Sequence, residues 1–335
     1  MDRLLVIRGG AIGDVILTLP ALGALRQAFP EAILDLMGNP NRLVLAQHPA
    51  YAHRLLDMER WDIYRLFSQG ARVSAHLAAY LSTCKMILAY LPVSDDIFAQ
   101  RLRSFCAGPV TVWSPHPPTG LHCSEHLLRP VVARLSSPAH PCPRIHLDPL
   151  AVAVAERFWR TVGLPATGVI AVHPGSGGLH KLWPVAGWQQ VLAWIAHHRL
   201  PCLLVSGPAE RERVATLLQG APPYPWPCAE QFPLPHLAAL LARCHVFVGH
   251  DSGMTHLAAA VGTTTLALFG PTDPLVWGPR SRRSCVLWPQ PPAPLTLETL
   301  PPAVVIDVLA ALWHETFAFA PSRVDCTILR LPVYE

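Results

Sequence analysis

The chain has 335 residues, of which 51% are apolar and 14% charged, and a formal net charge of +4. Such a length accommodates two domains that each bury a core, and such a composition excludes a disordered chain. The mild positive balance argues against nucleic acid as a main partner and suits an anionic small molecule or an anionic membrane surface.

Leu4 to Arg8 is a short apolar run closed by Gly9-Gly10, which predicts a buried strand and a turn. Val15 to Phe29 has a helical pattern, with Pro20 either kinking it or marking a second start behind Thr18. Ala32 to Met37 is the next strand. Helices at Ser74 to Leu81 and Ser94 to Phe105 bracket a strand at Lys85 to Leu91, and Pro109 to Trp113 is a further strand candidate. Repeated βα units of this length predict a parallel sheet covered on both faces. Prolines then accumulate from Ser114 to Pro149, where only His122 to Leu135 keeps a helical pattern. The linker is expected at about Ser136 to Leu150, between an N-terminal domain of residues 1–149 and a C-terminal domain of residues 150–335.

The second half restarts the rhythm. Gly168 to Val172 reads as a strand, Pro184 to His197 as an amphipathic helix, Pro201 to Val205 as a strand, and Ala209 to Leu218 and His236 to Arg243 as helices. After Trp288 only one helix, Pro302 to Trp313, stands out, and the tail from Thr316 to Glu335 carries no readable pattern.

The nine scattered cysteines include no C-x-x-C pair. They point to free thiols in a reducing cytoplasm, not to a disulfide framework or a zinc site. His116, His122, His126, His140 and His146 crowd the Pro-rich region, but their spacing fits no standard metal-ligand pattern. No apolar run reaches the length of about 18 residues that a membrane span needs. Arg8, Asp14 and the early glycines interrupt the N-terminus too soon for a secretory signal.

The most informative stretch runs from Val246 to Pro274. It reads as a strand from His245 to Val248, a turn from Gly249 to Gly253, a short helix, a strand from Thr265 to Phe269, and a turn from Gly270 to Pro274. Ligands of such βαβ units sit where strands end and helices begin, and Asp251-Ser252-Gly253-Met254-Thr255-His256 falls at that point. Helix-start amides with the Ser252 and Thr255 hydroxyls would hold a diphosphate, while Asp251 and His256 orient the loop or a sugar. In the plainer reading Asp251 caps the helix and His256 packs in the core. Gly270 to Pro274 is most simply turn chemistry, yet it brings Thr272 within reach of the same ligand.

Two further constellations carry chemistry. His173-Pro174-Gly175-Ser176-Gly177-Gly178-Leu179-His180-Lys181 is a glycine-rich loop at a strand end, ahead of Trp183-Pro184. Its cation, Lys181, is either a phosphate partner or a solvated surface lysine. Gly9 to Asp14 has neither the G-x-G-x-x-G spacing of a dinucleotide fingerprint nor the Lys-Ser/Thr of a P-loop. It offers a flexible strand end and one carboxylate, Asp14, which is either a helix cap or a general base.

These residues together make the chain resemble the heptosyltransferase family, glycosyltransferase family 9, whose members add heptose to the inner core of lipopolysaccharide. The matching pieces are Ile7-Arg8 through Gly13-Asp14-Val15 with Thr18 to Leu22, His173-Pro174-Gly175 with Lys181 and Trp183-Pro184, Ser206 to Glu210, and Val248-Gly249 to His256 with Phe269 to Pro274. His122-x-x-Glu125 is a weaker echo, and the motifs stand in family order over roughly residues 1–280. The resemblance implies an α/β, GT-B architecture: two Rossmann-like domains with parallel sheets facing across a cleft, the acceptor on the N-terminal side and the nucleotide-sugar on the C-terminal side. It implies inversion at the anomeric carbon with no metal and no cofactor. Carried over, Asp14 is the general base, and Lys181 with the amides around Ser252 to Thr255 stabilises the leaving diphosphate. Gly13, Ser176, Asp251, Ser252, Gly253, Met254, Thr255, His256 and Thr272 are then substrate-binding.

The expected partners are a nucleotide-sugar donor, ADP-heptose, and a lipid-linked or glycan acceptor, with no nucleic acid. The expected location is cytoplasmic, compatible with peripheral contact at the inner membrane. Two alternatives share the same loops: another GT-B enzyme using a different nucleotide-sugar, and a non-catalytic nucleotide-sugar-binding protein.

Overall fold

The computed structural model describes residues 2–92, 96–135, 139–289, 296–319 and 326–331. The chain divides into two compact units, Met1–Pro143 and Arg144–Glu335. Pro149, at the domain limit expected from the sequence, is the first residue of a helix whose N-cap, Asp148, accepts a hydrogen bond from Leu150 N–H.

In the first unit, β1 (Arg3–Arg8), β2 (Ile33–Gly38), β3 (Arg54–Asp57), β4 (Cys84–Tyr90) and β5 (Val110–Trp113) form one sheet in the order β3-β2-β1-β4-β5. Every pair is parallel. Parallel neighbours need crossovers, supplied here by α1 (Ile12–Ala28), α2 (Pro40–Leu43), α3 (Ala75–Ser82) and α4 (Asp96–Phe105), while α5 (Cys123–Val132) follows the last strand and packs against α1. Leu4 to Ile7 are all buried, as a strand covered on both faces requires. From β1 the chain moves out to β2 and β3, then returns to the far side of β1 as β4. The turn after β1 therefore lies at the topological switch point of this sheet.

Helix α1 starts three residues before the expected Val15 and runs unbroken through Pro20. Gly10, at φ +98°, turns the chain sharply enough for the helix to begin at Ile12. Asp14 thus sits inside the first turn, not at the cap.

In the second unit, β6 (Ile170–His173), β7 (Cys202–Ser206), β8 (Cys228–Glu230), β9 (Val246–His250), β10 (Thr264–Leu268), β11 (Ser284–Pro289) and β12 (Thr327–Leu331) form a sheet in the order β12-β11-β10-β9-β6-β7-β8. All its pairs are parallel as well. Its helices are α6 (Pro149–Thr161), α7 (Val185–His197), α8 (Arg211–Gln219), α9 (Leu234–Ala242), α10 (Gly253–Ala260), α11 (Pro274–Trp277) and α12 (Pro302–Trp313). Trp183, Trp188, Val191, Leu192 and Ile195 pack with Val246 and Val248 in one buried cluster, so the predicted amphipathic face of α7 is the face the sheet covers. Both units are doubly wound α/β folds, as expected.

One polar group ties the first unit together. Asp35, on β2, is fully buried and accepts from Arg3 (2.9 Å), from Arg54 (2.8 and 2.5 Å) and from the Tyr80 hydroxyl (2.7 Å). Both arginines are partly exposed and could turn to water, whereas Tyr80 is 8% exposed and would lose its acceptor. Asp35→Ala is therefore expected to cost about 2 kcal/mol, the order of one buried polar group left unsatisfied. Urea unfolding checks this, and an unchanged midpoint would mean that Tyr80 finds another acceptor.

Candidate functional site

The sheet of the second unit has its own switch point. After β6 the chain proceeds to β7 and β8 on one side, and β9 begins the other side, so the loops that leave β6 and β9 flank the crevice. The structure brings these loops together through named contacts. Lys181 Nζ, from the β6 loop, pairs with Asp251 Oδ2 at 2.5 Å, and the Ser176 hydroxyl donates to the Asp251 carbonyl at 2.8 Å. Gly175 is required by close approach: a Cβ there would lie 2.1 Å from Cγ of Glu210.

Ser252 follows Asp251 as the N-cap of α10, in an extended conformation. Its hydroxyl oxygen is buried with no hydrogen-bond partner among the described residues, at the start of a helix whose first amides lack intrahelical acceptors. Gly253 opens the helix; Met254, Thr255 and His256 are buried in its first turn. The Thr255 hydroxyl donates to the His250 carbonyl and so braces the turn from within. Thr272 lies half-buried in the turn after β10, the strand paired with β9, and the neighbouring Asp273 caps α11 through Leu275 N–H at 2.9 Å. One cation, one orphaned hydroxyl and a helix start at the mouth of a parallel sheet together form a candidate anion cradle.

Sequence reading overlooked two residues here, His250 and Arg213. His250 falls in the turn predicted from Gly249 to Gly253 but is the last residue of β9, and Arg213 looks like one more solvated helix charge. In the structure His250 is fully buried, and Arg213 Nε donates to the Pro174 carbonyl at 2.7 Å.

The first unit presents Asp14 at its switch point. Asp14 is the third residue of α1; Oδ2 accepts from Ala11 N–H at 2.7 Å and Oδ1 pairs with Arg8 at 2.9 Å. Arg8 is buried, while the Asp14 side chain keeps 30% of its surface open to solvent. The Arg8 Nε also donates to the Thr18 hydroxyl at 3.0 Å, so the guanidinium is held on two sides. Gly13 lies beside Asp14 in the same turn, and a Cβ at Gly10 would come 2.6 Å from Asp14 Oδ2. Among the described residues no three His, Cys, Asp or Glu side chains gather as metal ligands would.

Two doubly wound parallel sheets, each in its own compact unit, fit the GT-B fold class. Comparison with known proteins agrees. The pattern of glycosyltransferase family 9 (heptosyltransferase) matches residues 151–298. Lipopolysaccharide heptosyltransferase 3 of Escherichia coli is 30% identical over 304 residues, 82% of this chain and 86% of that protein. The fold superposes on E. coli ADP-heptose lps heptosyltransferase II with a TM-score of 0.74 at 20% identity, covering 95% of this chain and 100% of that one. It superposes on an E. coli heptosyltransferase with ADP-2-deoxy-2-fluoro heptose with a TM-score of 0.65 at 20% identity, covering 92% and 99%. The chain belongs to glycosyltransferase family 9, and it is an enzyme of that class.

Two imidazoles lie beneath the cradle. Burial lowers His173 to about 4 and His250 to about 3 from the ordinary 6.5. Both rings are therefore neutral in the folded protein at pH values where the unfolded chain takes up protons. The stability they contribute is complete above pH 6.5 and is lost as pH falls toward their folded values, at up to about 1.4 kcal/mol per pH unit for each ring. Melting temperature is expected to drop steeply between pH 6.5 and 4.5. A level profile there would show that the rings accept protons without cost.

Proposed function

We propose that the enzyme transfers heptose from ADP-heptose to a hydroxyl of a lipopolysaccharide core acceptor, with inversion at the anomeric carbon and without a metal. The observation that carries this reading is the Lys181–Asp251–Ser176 cluster, 2.5 and 2.8 Å across its contacts, at the N-terminus of α10. A cation and helix amides at a switch point suit a leaving diphosphate, and the related E. coli enzymes named above are heptosyltransferases.

The acceptor oxygen attacks the anomeric carbon from the face opposite the diphosphate. As that bond forms, the bond from the anomeric carbon to the diphosphate oxygen breaks, and its electron pair leaves with ADP. The acceptor proton passes to Asp14, whose two hydrogen bonds to Ala11 and Arg8 hold the carboxylate in one orientation. Lys181, Ser252 and the α10 amides receive the negative charge, Ser176 contacts a phosphate, and Asp251, His256 and Thr272 shape the sugar and phosphate pocket. Gly13, Gly253 and Met254 approach the ligands through their backbones. No described helix is long and apolar enough to cross a membrane. In this reading the enzyme works in the cytoplasm and meets its lipid-linked acceptor by peripheral contact.

Asp14→Asn is expected to bind ADP as the parent does while turnover falls about 10²–10⁴-fold, the usual contribution of a general base. Full activity in the folded variant would leave Asp14 a purely structural role. Lys181→Ala is expected to weaken ADP binding and slow transfer together, because the charge facing the diphosphate is gone. Both assays are run with excess EDTA, in which the parent rate should hold. Loss of that rate, with recovery on adding Mg²⁺, would replace the cradle with a metal as the source of positive charge.

A further inference from the structure

We propose that His250 is a positioning residue for the donor loop: its two ring nitrogens hold both ends of the segment that carries Ser176 and Lys181. This rests on the donor-site reading above. Val246, Val248 and His250 alternate onto one face of β9, and the first two join the apolar cluster that contains Trp183 and Trp188. The imidazole meets the Trp188 ring edge-on, with centroids 5.2 Å apart and planes at 84°. A polar ring in such surroundings is costly unless both nitrogens are satisfied.

Both are satisfied, and by the same loop. The ring's Nε2 accepts from Trp183 N–H at 2.8 Å, and Nδ1 lies 3.1 Å from the Gly175 carbonyl. Because Nε2 must be the acceptor, Nδ1 carries the proton and donates. The next residue, Asp251, takes the Ser176 hydroxyl on its carbonyl and Lys181 on its carboxylate. Four points of the loop, at 175, 176, 181 and 183, are thus gathered by two consecutive residues at the end of one strand. Arg213, from α8, supports the same ends from outside through the Pro174 and Trp183 carbonyls. The contacts at 176 and 181 involve groups that a diphosphate would compete for. Those at 175 and 183 are backbone to ring, and a bound donor leaves them in place.

The consequence is energetic coupling between His250 and Lys181, a residue it does not touch. A double-mutant cycle with ADP as the probe tests it. His250→Leu removes both ring bonds at similar volume and is expected to weaken ADP binding about tenfold, about 1.4 kcal/mol. Lys181→Ala should then cost several-fold less in the Leu variant than in the parent, because the ammonium is no longer held where it works. His250→Asn keeps an amide donor near the Nδ1 position, and His250→Gln keeps an acceptor near Nε2. Each should retain part of the affinity, and either serves in the cycle should the Leu variant fail to fold. Additive effects of the two substitutions, or parent-like affinity in a folded His250→Leu, would overturn the proposal and leave His250 a core residue. Should Lys181→Ala alone leave ADP binding unchanged, the donor-site reading itself would fall, a separate outcome.

Discussion

The second unit's site depends on a hand-over between two strands: a loop from β6 is held by side chains that belong to the end of β9. Neither strand makes a site alone. Parallel pairing sets Val172 beside Val248 and His173 beside Gly249, which puts His250, the last residue of β9, and Asp251 beyond the end of β6, opposite the residues that follow His173. Register therefore decides chemistry. A slip of one residue would turn His250 to the other face of the sheet and remove both bonds that it makes. The long burial of β9, from Val246 to His250, guards against that slip.

The two switch points solve related problems differently. In the second unit a charge sits on a glycine-rich loop and is steadied by a carboxylate. In the first, a carboxylate sits on a helix turn and is steadied by a guanidinium that is itself buried and bound to Thr18. Burying Arg8 is tolerable only because Asp14 and Thr18 pair with it. The same pairing leaves Asp14 a single orientation with its open edge toward solvent.

Much of this was legible in the sequence, for physical reasons that also explain what was not. Central strands such as Leu4 to Ile7 and Val246 to Val248 are covered on both faces, so they read as unbroken apolar runs. The short edge strands β3, β8 and β12 escaped notice: RLLD, CAE and TILRL carry charges or too few residues to show a period. The helix α6 was masked by a Pro-rich approach in which Pro149 is a helix start and not a breaker. Lys181, Ser176 and Asp251 stood out because glycines surround them. His250 did not, since nothing in a strand-end histidine reveals that its ring bonds to a loop some seventy residues earlier in the chain. Asp14 was legible as a carboxylate near a helix start; its place in the first turn hung on the positive φ of Gly10, which periodicity cannot register.

The loop's anchors divide into two kinds, and the division bears on how a donor could be received. The Lys181–Asp251 pair is lopsided, with 27% of the lysine side chain open but only 8% of the aspartate's. A diphosphate brings more than one negative charge and would compete with the carboxylate for the lysine, at the cost of leaving the buried Asp251 without its cation. Were the loop held by that pair alone, the same exchange would release it and the gain in charge would be spent on reordering ten residues of backbone. The neutral bonds to His250 and the carbonyl bonds to Arg213 do not compete with the ligand, so the backbone stays ordered while the charges change partners. Burial of the imidazole is part of this arrangement: a ring that refuses a proton down to about pH 3 keeps Nε2 free to accept from Trp183 at every milder pH.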